Sequence, residues 1–380
     1  MMKLYRTAKL NDNANSWDAY KILRNEYFAN IRAAKISFDD SKLKSLIDKN
    51  NSPKQWWTLL KQVKKSNSFS ETFPPLEIGE KIVTDDKEKA NAFNEFFLKA
   101  SNLNTTDANL PTNLRILQLN DLTEIVVTES DVFDQLSVLD TSKAYGEDGI
   151  PPKLLKEGRK EISKSLCQLF NLSLQQCSVP RMWKKSNIVP IFKKDNASII
   201  SNYRPISLLS AVGKTMERIV FKYLYNHLTD NFILSENQSG FQPGRSTVTQ
   251  LVEIFHEFCK SMEAGKEIRV VFLDISKAFD RVWHSGLLHK LQLAGVNGNL
   301  LAWFKDYLSE RYQRVIINGQ HSEWGVTNAG VPQGSVLGPI LFLIFINDIV
   351  NTVSNCNIRL FADDTCLFLE VDNRIDTVTL

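Results

Sequence analysis

Apolar and polar positions change period along this chain. Near the N-terminus the period is helical. Trp17, Tyr20, Leu23, Tyr27 and Ile31 share one face of a helix over 17–36, with Arg24, Arg32 and Lys35 on another. Residues 52–63 predict a second helix, with Ser52 as N-cap and Pro53 at its first position. The polar, Ser- and Pro-containing stretch 64–79 predicts a loop, 84–100 a further capped helix, and 101–113 a linker. Beyond it the chain is denser in apolar residues, and runs at 186–192, 268–274, 313–318 and 357–371 predict strands. The apolar run 336–350 predicts a buried helix, being too short to span a bilayer and carrying Gly338-Pro339 near its start. There is no internal repeat.

The last strand-like run is interrupted by charge. In "RLFADDTCLF", Asp363 and Asp364 stand between two β-prone segments, which predicts a tight hairpin around them. Taken alone, an Asp pair is ordinary turn punctuation. Taken as chemistry, two adjacent carboxylates raise one another's pKa unless a cation shares their charge. A third acid decides between the two. Val270, Val271, Phe272 and Leu273 form an apolar strand that ends at Asp274, and helical spacing follows over 276–291. Asp274 alone would serve as a helix N-cap. Three carboxylates from two strand ends, however, are the ligands that two-metal phosphoryl transfer requires, with the ions ~3.5–4 Å apart. Magnesium suits such a site, since it takes few carboxylates and keeps waters and substrate phosphates as its other ligands.

Composition narrows the class. The chain has 380 residues, 43% hydrophobic and 23% charged, which is globular and long enough for two or three domains. Its net charge of +3 is unevenly spread: residues 1–65 hold 14 Lys and Arg against 6 Asp and Glu. A basic front end fits a polyanionic partner and fits a solvated helix face equally well. The five cysteines, Cys167, Cys177, Cys259, Cys356 and Cys366, contain no CxxC pair, and the five histidines lack ligand spacing, so no zinc site is expected. Scattered single cysteines fit a reducing compartment. The first residues carry no apolar signal segment, so an intracellular location, nucleus or cytoplasm, is expected, with no membrane partner.

Several stretches together resemble a known family. "VVFLDISKAFDRVWHSGLLHKL", "GVPQGSVLGPILFLIFINDI" and "FADD", in that order, look like the A, B and C motifs of the reverse transcriptases of non-LTR (LINE-type, jockey-like) retrotransposons. Residues 186–220 resemble that family's fingers motifs, 235–251 the segment between fingers and palm, and 140–156 the N-terminal extension motif. The resemblance implies an α+β, right-hand polymerase fold of fingers and palm, the palm an antiparallel sheet with packed helices. The expected divisions are a basic, mostly helical region over 1–135, fingers over 136–265 and palm over 266–380, with a core reverse transcriptase domain at about 174–380. The thumb is expected to be absent, and the chain to be a C-terminally truncated fragment.

The same resemblance assigns residues. Asp274, Asp363 and Asp364 match the catalytic, metal-binding aspartates, with the Ile275 carbonyl as an extra ligand. Phe279 matches the steric gate against a 2′-OH, and Asp280 beside it reads as structural. Lys193, Lys194 and Arg204 match basic fingers positions, suited to a triphosphate. Gln333 and Gly334 match contacts to the incoming nucleotide. Arg245, Phe361 and Ala362 match template or primer positions. The implied cofactor is Mg²⁺, two ions, with Mn²⁺ as the alternative. The implied partners are template RNA, a DNA primer or target, and dNTP. In "AYGEDG", Tyr145 and Glu147 stand where the family usually has prolines, which removes a source of loop rigidity. The alternative is a catalytically inactive nucleic-acid-binding remnant of such a polymerase. Phe279 and "FADD" argue against an RNA-templated RNA polymerase or an intron-type maturase.

Overall fold

The computed structural model describes residues 9, 14–46, 73–104, 110 and 121–371. The chain divides into two compact units, 1–72 and 73–380. In the first, helix α1 (Ala14–Leu46) is longer than the expected 17–36, because no Gly or Pro stops it. Trp17 and Tyr20 meet edge to face at 6.1 Å, while Tyr27 and Ile31 are exposed. The helix expected over 52–63 and the Lys35 side chain lie outside the described residues.

The second unit opens with a small hairpin, β1 (Leu76–Ile78) and β2 (Lys81–Val83), turning at Gly79 with φ +61°. The end of the expected loop over 64–79 is thus a strand. The apolar Leu76 and Ile78 that a Pro-Pro flank had disguised pair across a glycine turn. Helix α2 (Asp86–Ser101) follows, capped by Asp85, whose carboxylate accepts the Glu88 N–H at 2.9 Å. Its Phe93 and Phe97 are buried against Ile188, Tyr203, Val315 and Ile317. Residues 73–104, grouped by the sequence reading with the N-terminal region, therefore share a core with the strands downstream.

Helices α3 (Glu129–Ser137), α4 (Pro152–Glu157) and α5 (Arg159–Gln175) lead to a mixed sheet. Its strands are β3 (Lys185–Phe192), β4 (Tyr203–Leu208), β6 (Arg311–Ile317), β7 (Gln320–His321) and β8 (Gly325–Thr327). The order is β4-β3-β6-β7 with β8 also on β6, and only β3 and β6 run parallel. Glu147 accepts from Asn187 Nδ2 at 3.0 Å and pairs with Arg314. A tether to the sheet thus steadies the loop where prolines were missing.

A second sheet is wholly antiparallel, in the order β5-β10-β9, from β5 (Glu267–Leu273), β9 (Asn357–Phe361) and β10 (Asp364–Val371). Helix α7 (Thr247–Glu263) lies on it, with Ile254 and Phe258 against Cys366 and Phe368. Strand β5 is an edge, and its apolar sequence is not buried throughout: Phe272 is 76% exposed. Helices α6 (Ala211–Asp230), α8 (His284–Leu293), α9 (Gly298–Leu308) and α10 (Leu337–Ile346) form the main core with α3 and α5. The helical spacing read over 276–291 is broken in two: a 3₁₀ turn at Ala278–Arg281 precedes α8. No helix among the described residues is long and apolar enough to cross a membrane.

Candidate active site

The acid-bearing hairpin is offset by one residue from the sequence reading. Asp364 is the first residue of β10 and pairs with Phe361, so the two turn residues are Ala362 and Asp363. Ala362 takes φ +56°, a left-handed conformation that Gly, Asn or Asp adopt more easily. The strain is held from outside the hairpin. The Ala362 N–H donates to Gln238 Oε1 at 2.8 Å, and Gln238 Nε2 donates back to the Ala362 carbonyl at 3.2 Å. Gln238 is 2% exposed and runs beside β9, where Ser239 N–H donates to Leu360 and Leu360 N–H to Asn237. Gly240 fits only because it lacks a Cβ, which would stand 2.2 Å from the Ala362 nitrogen.

Strand β5 brings the third acid. Thr365 pairs with Leu273, and one further step of that register carries Asp274 across from Asp364. Like charges facing across strands repel. Burial pushes the Asp363 carboxyl above its ordinary range, Asp364 and Asp274 push it further, and Arg204 pulls it back. Among the described residues no three His, Cys, Asp or Glu side chains already converge closely enough to hold an ion. What links the aspartates is the charge that Asp364 and Asp274 exert on Asp363. Their all-oxygen donor set fits a hard divalent ion.

One cavity of ≈ 670 Å³ gathers much of the rest. Asp274, Ile275, Asp363, Lys193, Arg204, Phe279, Gln333 and Gly334 all line it. Lys193 follows β3, its N–H bonded to Asn202 O at 2.8 Å, and Arg204 lies opposite Ile191 on β4. Phe279 is fixed by a stack on Phe342 (4.7 Å between centroids) and an edge contact with Phe241 (5.8 Å). Gln333 Nε2 donates to Asp280 Oδ1 at 2.8 Å. Burial raises the Asp280 carboxyl, against which the Gln333 bond and Lys277 both act. The Gln333 carbonyl accepts from Ser207 N–H at 2.8 Å, and Gly334 takes φ +125° where a Cβ would meet the Ser207 oxygen at 2.7 Å. Three residues on, the buried Glu217 carboxylate accepts the Val336 and Leu337 N–H groups at 2.6 and 3.2 Å, capping α10.

Other sequence-predicted residues stand outside that lining. Asp364 is exposed beside it at the start of β10. Lys194 is exposed in the turn after β3, next to Asp195 with φ +69°. Arg245 donates to the Glu236 carbonyl at 2.7 Å and so braces its own loop. Phe361 is half-buried at the end of β9 and Ala362 is buried in the turn. Sequence reasoning missed Gln238, Glu217, Lys277 and the α2 residues Phe96, Phe97 and Ala100, and the last four of these line the same cavity. The signal for α2 was the adjacent pair Phe96-Phe97. Both rings pack on the core that α2 shares with the mixed sheet, Phe97 buried in it and Phe96 at its edge.

Comparison with known proteins gives this arrangement a context. Residues 191–379 match the reverse transcriptase (RNA-dependent DNA polymerase) family. The chain is 34% identical over 223 residues to the probable RNA-directed DNA polymerase from transposon BS of Drosophila melanogaster, covering 58% of this chain and 24% of that protein. It is 34% identical over 250 residues to the RNA-directed DNA polymerase from mobile element jockey of the same species, covering 63% and 27%. The probable RNA-directed DNA polymerase from its transposon X-element is 31% identical over 252 residues, covering 65% and 26%. The chain thus spans about a quarter of the length of these relatives.

Proposed function

Residues 191–379 make this chain a member of the reverse transcriptase family, and on that premise we propose that it is the polymerase part of a non-LTR retroelement protein. The reaction is RNA-directed DNA synthesis: a primer 3′-OH attacks the α-phosphate of a dNTP, and pyrophosphate leaves. In this reading β3 and β4 belong to the fingers and the sheet β5-β10-β9 to the palm of a right-hand fold.

The carrying observation is that one cavity is lined at once by acids, cations, an aromatic side chain and a Gln-Gly loop. Its volume, ≈ 670 Å³, lies within the range of small-molecule sites. Asp274, Asp363, Asp364 and the Ile275 carbonyl would hold two Mg²⁺, or Mn²⁺, which supply activation of the hydroxyl and charge neutralisation on the leaving group. Lys193 and Arg204 bind triphosphate oxygens, with Lys194 adding charge at the rim. Phe279 fills the space of a 2′-OH, and its two ring contacts keep it there. Gln333 and Gly334 contact the nucleotide. Arg245, Phe361 and Ala362 lie along the template and primer, and phosphate contacts make RNA affinity fall with salt.

The test is primer extension on an RNA template with dNTPs and Mg²⁺, comparing the 380-residue chain with its Asp363→Asn variant. Extension by the parent alone, with RNA binding equal in both, is the expected result. No extension by either and no dNTP binding, with salt-sensitive RNA binding retained, would leave only the nucleic-acid-binding remnant.

A further inference from the structure

Helix α2 lies wholly upstream of the residues that match the family, yet it supplies Phe96, Phe97 and Ala100 to the wall of the cavity. Facing them is Lys277, three residues beyond Asp274 and in the same lining. Its ammonium sits over the Phe96 ring, 4.0 Å from the centroid. Its backbone is left-handed at φ +55°, and its carbonyl accepts from the N–H groups of Asp280 and Arg281, which end the 3₁₀ turn. A lysine held in that region beside a candidate site marks a conformation imposed by its surroundings.

The geometry points to Lys277 as a further cation for the incoming triphosphate, with Phe96 as its positioning residue. This deepens the polymerase reading and rests on it. A carboxylate partner would neutralise the ammonium, whereas the face of a ring attracts it and leaves its full charge for an anion. The ring itself has a fixed seat. Phe96 meets Phe97 edge to face at 5.8 Å, and Phe97 is buried in the core that α2 shares with the mixed sheet. Lys193 directly follows β3 and Arg204 lies on β4, while Lys277 comes from the segment that bears Asp274. Triphosphate would then be gripped from both structural elements, and the upstream helix would set how well the second one is placed.

The experiment measures dNTP KM and kcat for extension on an RNA template by the 380-residue chain. Lys277→Met and Phe96→Leu should each raise KM about 3- to 10-fold with kcat little changed. Phe96→Trp, which keeps a ring face, should restore KM. The double variant Phe96→Leu/Lys277→Met should be no worse than Lys277→Met alone. Normal KM in Lys277→Met would overturn the inference while leaving the polymerase reading intact. Phe96→Trp no better than Phe96→Leu would reduce Phe96 to packing, and a lowered KM in Phe96→Leu would mean the ring withholds the lysine; either overturns it. If the parent chain does not extend primers, binding of a fluorescent dNTP with Mg²⁺ to the same variants replaces KM. The same ranking of affinities supports the inference, and equal affinities overturn it. No nucleotide binding by the parent rejects the polymerase reading, and the inference with it.

Discussion

Gln238 grips Ala362 at both polar ends, through its Oε1 at 2.8 Å and its Nε2 at 3.2 Å. A primary amide alone among side chains of this size can accept and donate in that pattern. Gln238→Met should therefore destabilise the fold by about 1–3 kcal/mol, because it leaves a buried N–H and carbonyl unpaired. Gln238→Glu should be as harmful to activity, since a carboxylate cannot donate to the Ala362 oxygen. Urea unfolding and primer extension well below the unfolding midpoint separate the two effects. Full activity in Gln238→Glu would show that the turn keeps its left-handed residue unaided.

Phe279 is held by Phe342 and Phe241 rather than by the backbone alone. Phe279→Val should raise the ratio of rNTP to dNTP incorporation by about 10-fold or more, the discrimination worth roughly 1–3 kcal/mol of lost steric contact. Phe342→Leu should raise it less, by letting the gate ring swing. Competition between matched rNTP and dNTP on one template reads both, and an unchanged ratio in Phe279→Val would remove Phe279 from the gate.

Asp280 fixes the amide of Gln333 at 2.8 Å. Asp280→Ala frees that side chain and should raise dNTP KM about 10-fold, the worth of one charge-assisted hydrogen bond. Asp280→Asn retains an acceptor and should stay near the parent value. Equal defects in both variants would mean the carboxylate acts by its charge and not by orienting Gln333.

Glu217 predicts a pH dependence of stability. Burial raises its carboxyl, against which the Val336 and Leu337 N–H groups and Arg311 act. The folded state thus binds this proton more tightly than the unfolded chain does, where the group titrates near pH 4.3. Stability contributed by the group is present below that value and is lost as pH rises through the folded-state value. Glu217→Gln has no such proton, so the stability of the parent minus that of the variant should fall as pH rises from about 4 towards neutrality. Urea unfolding across that interval checks it; a flat difference would mean that folding leaves the Glu217 proton affinity unchanged, and a rising one that the folded state holds it ionised.

Much of this was legible in the sequence, for reasons that differ by residue. Strands β3, β5, β6 and the β9–β10 pair announce themselves because apolar, β-branched runs stop at polar turns. The acids were legible because charge is rare inside such runs. Exposure of β5 was not, since a run of apolar residues says nothing about whether another element covers it. The turn was misplaced by one residue because Asp is the commoner turn former, and what puts Ala362 there is Gln238, 124 residues away in sequence. Lys277 and Phe96 were invisible for the same reason: their meaning lies in a contact between segments that no local pattern encodes.

The seven residue pairs between β5 and β10 have one more effect. They act as a ruler between the acid at the end of β5 and those in the hairpin. Sliding one strand by a single residue would move Asp274 about 3.3 Å along the sheet and turn every side chain of that strand to its other face. A one-residue insertion or deletion anywhere in 267–273 or 365–371 would thus disrupt the candidate site without altering any of its aspartates. Substitutions in the same strands would be judged only by how well they pack. For this sheet, length is under tighter constraint than identity.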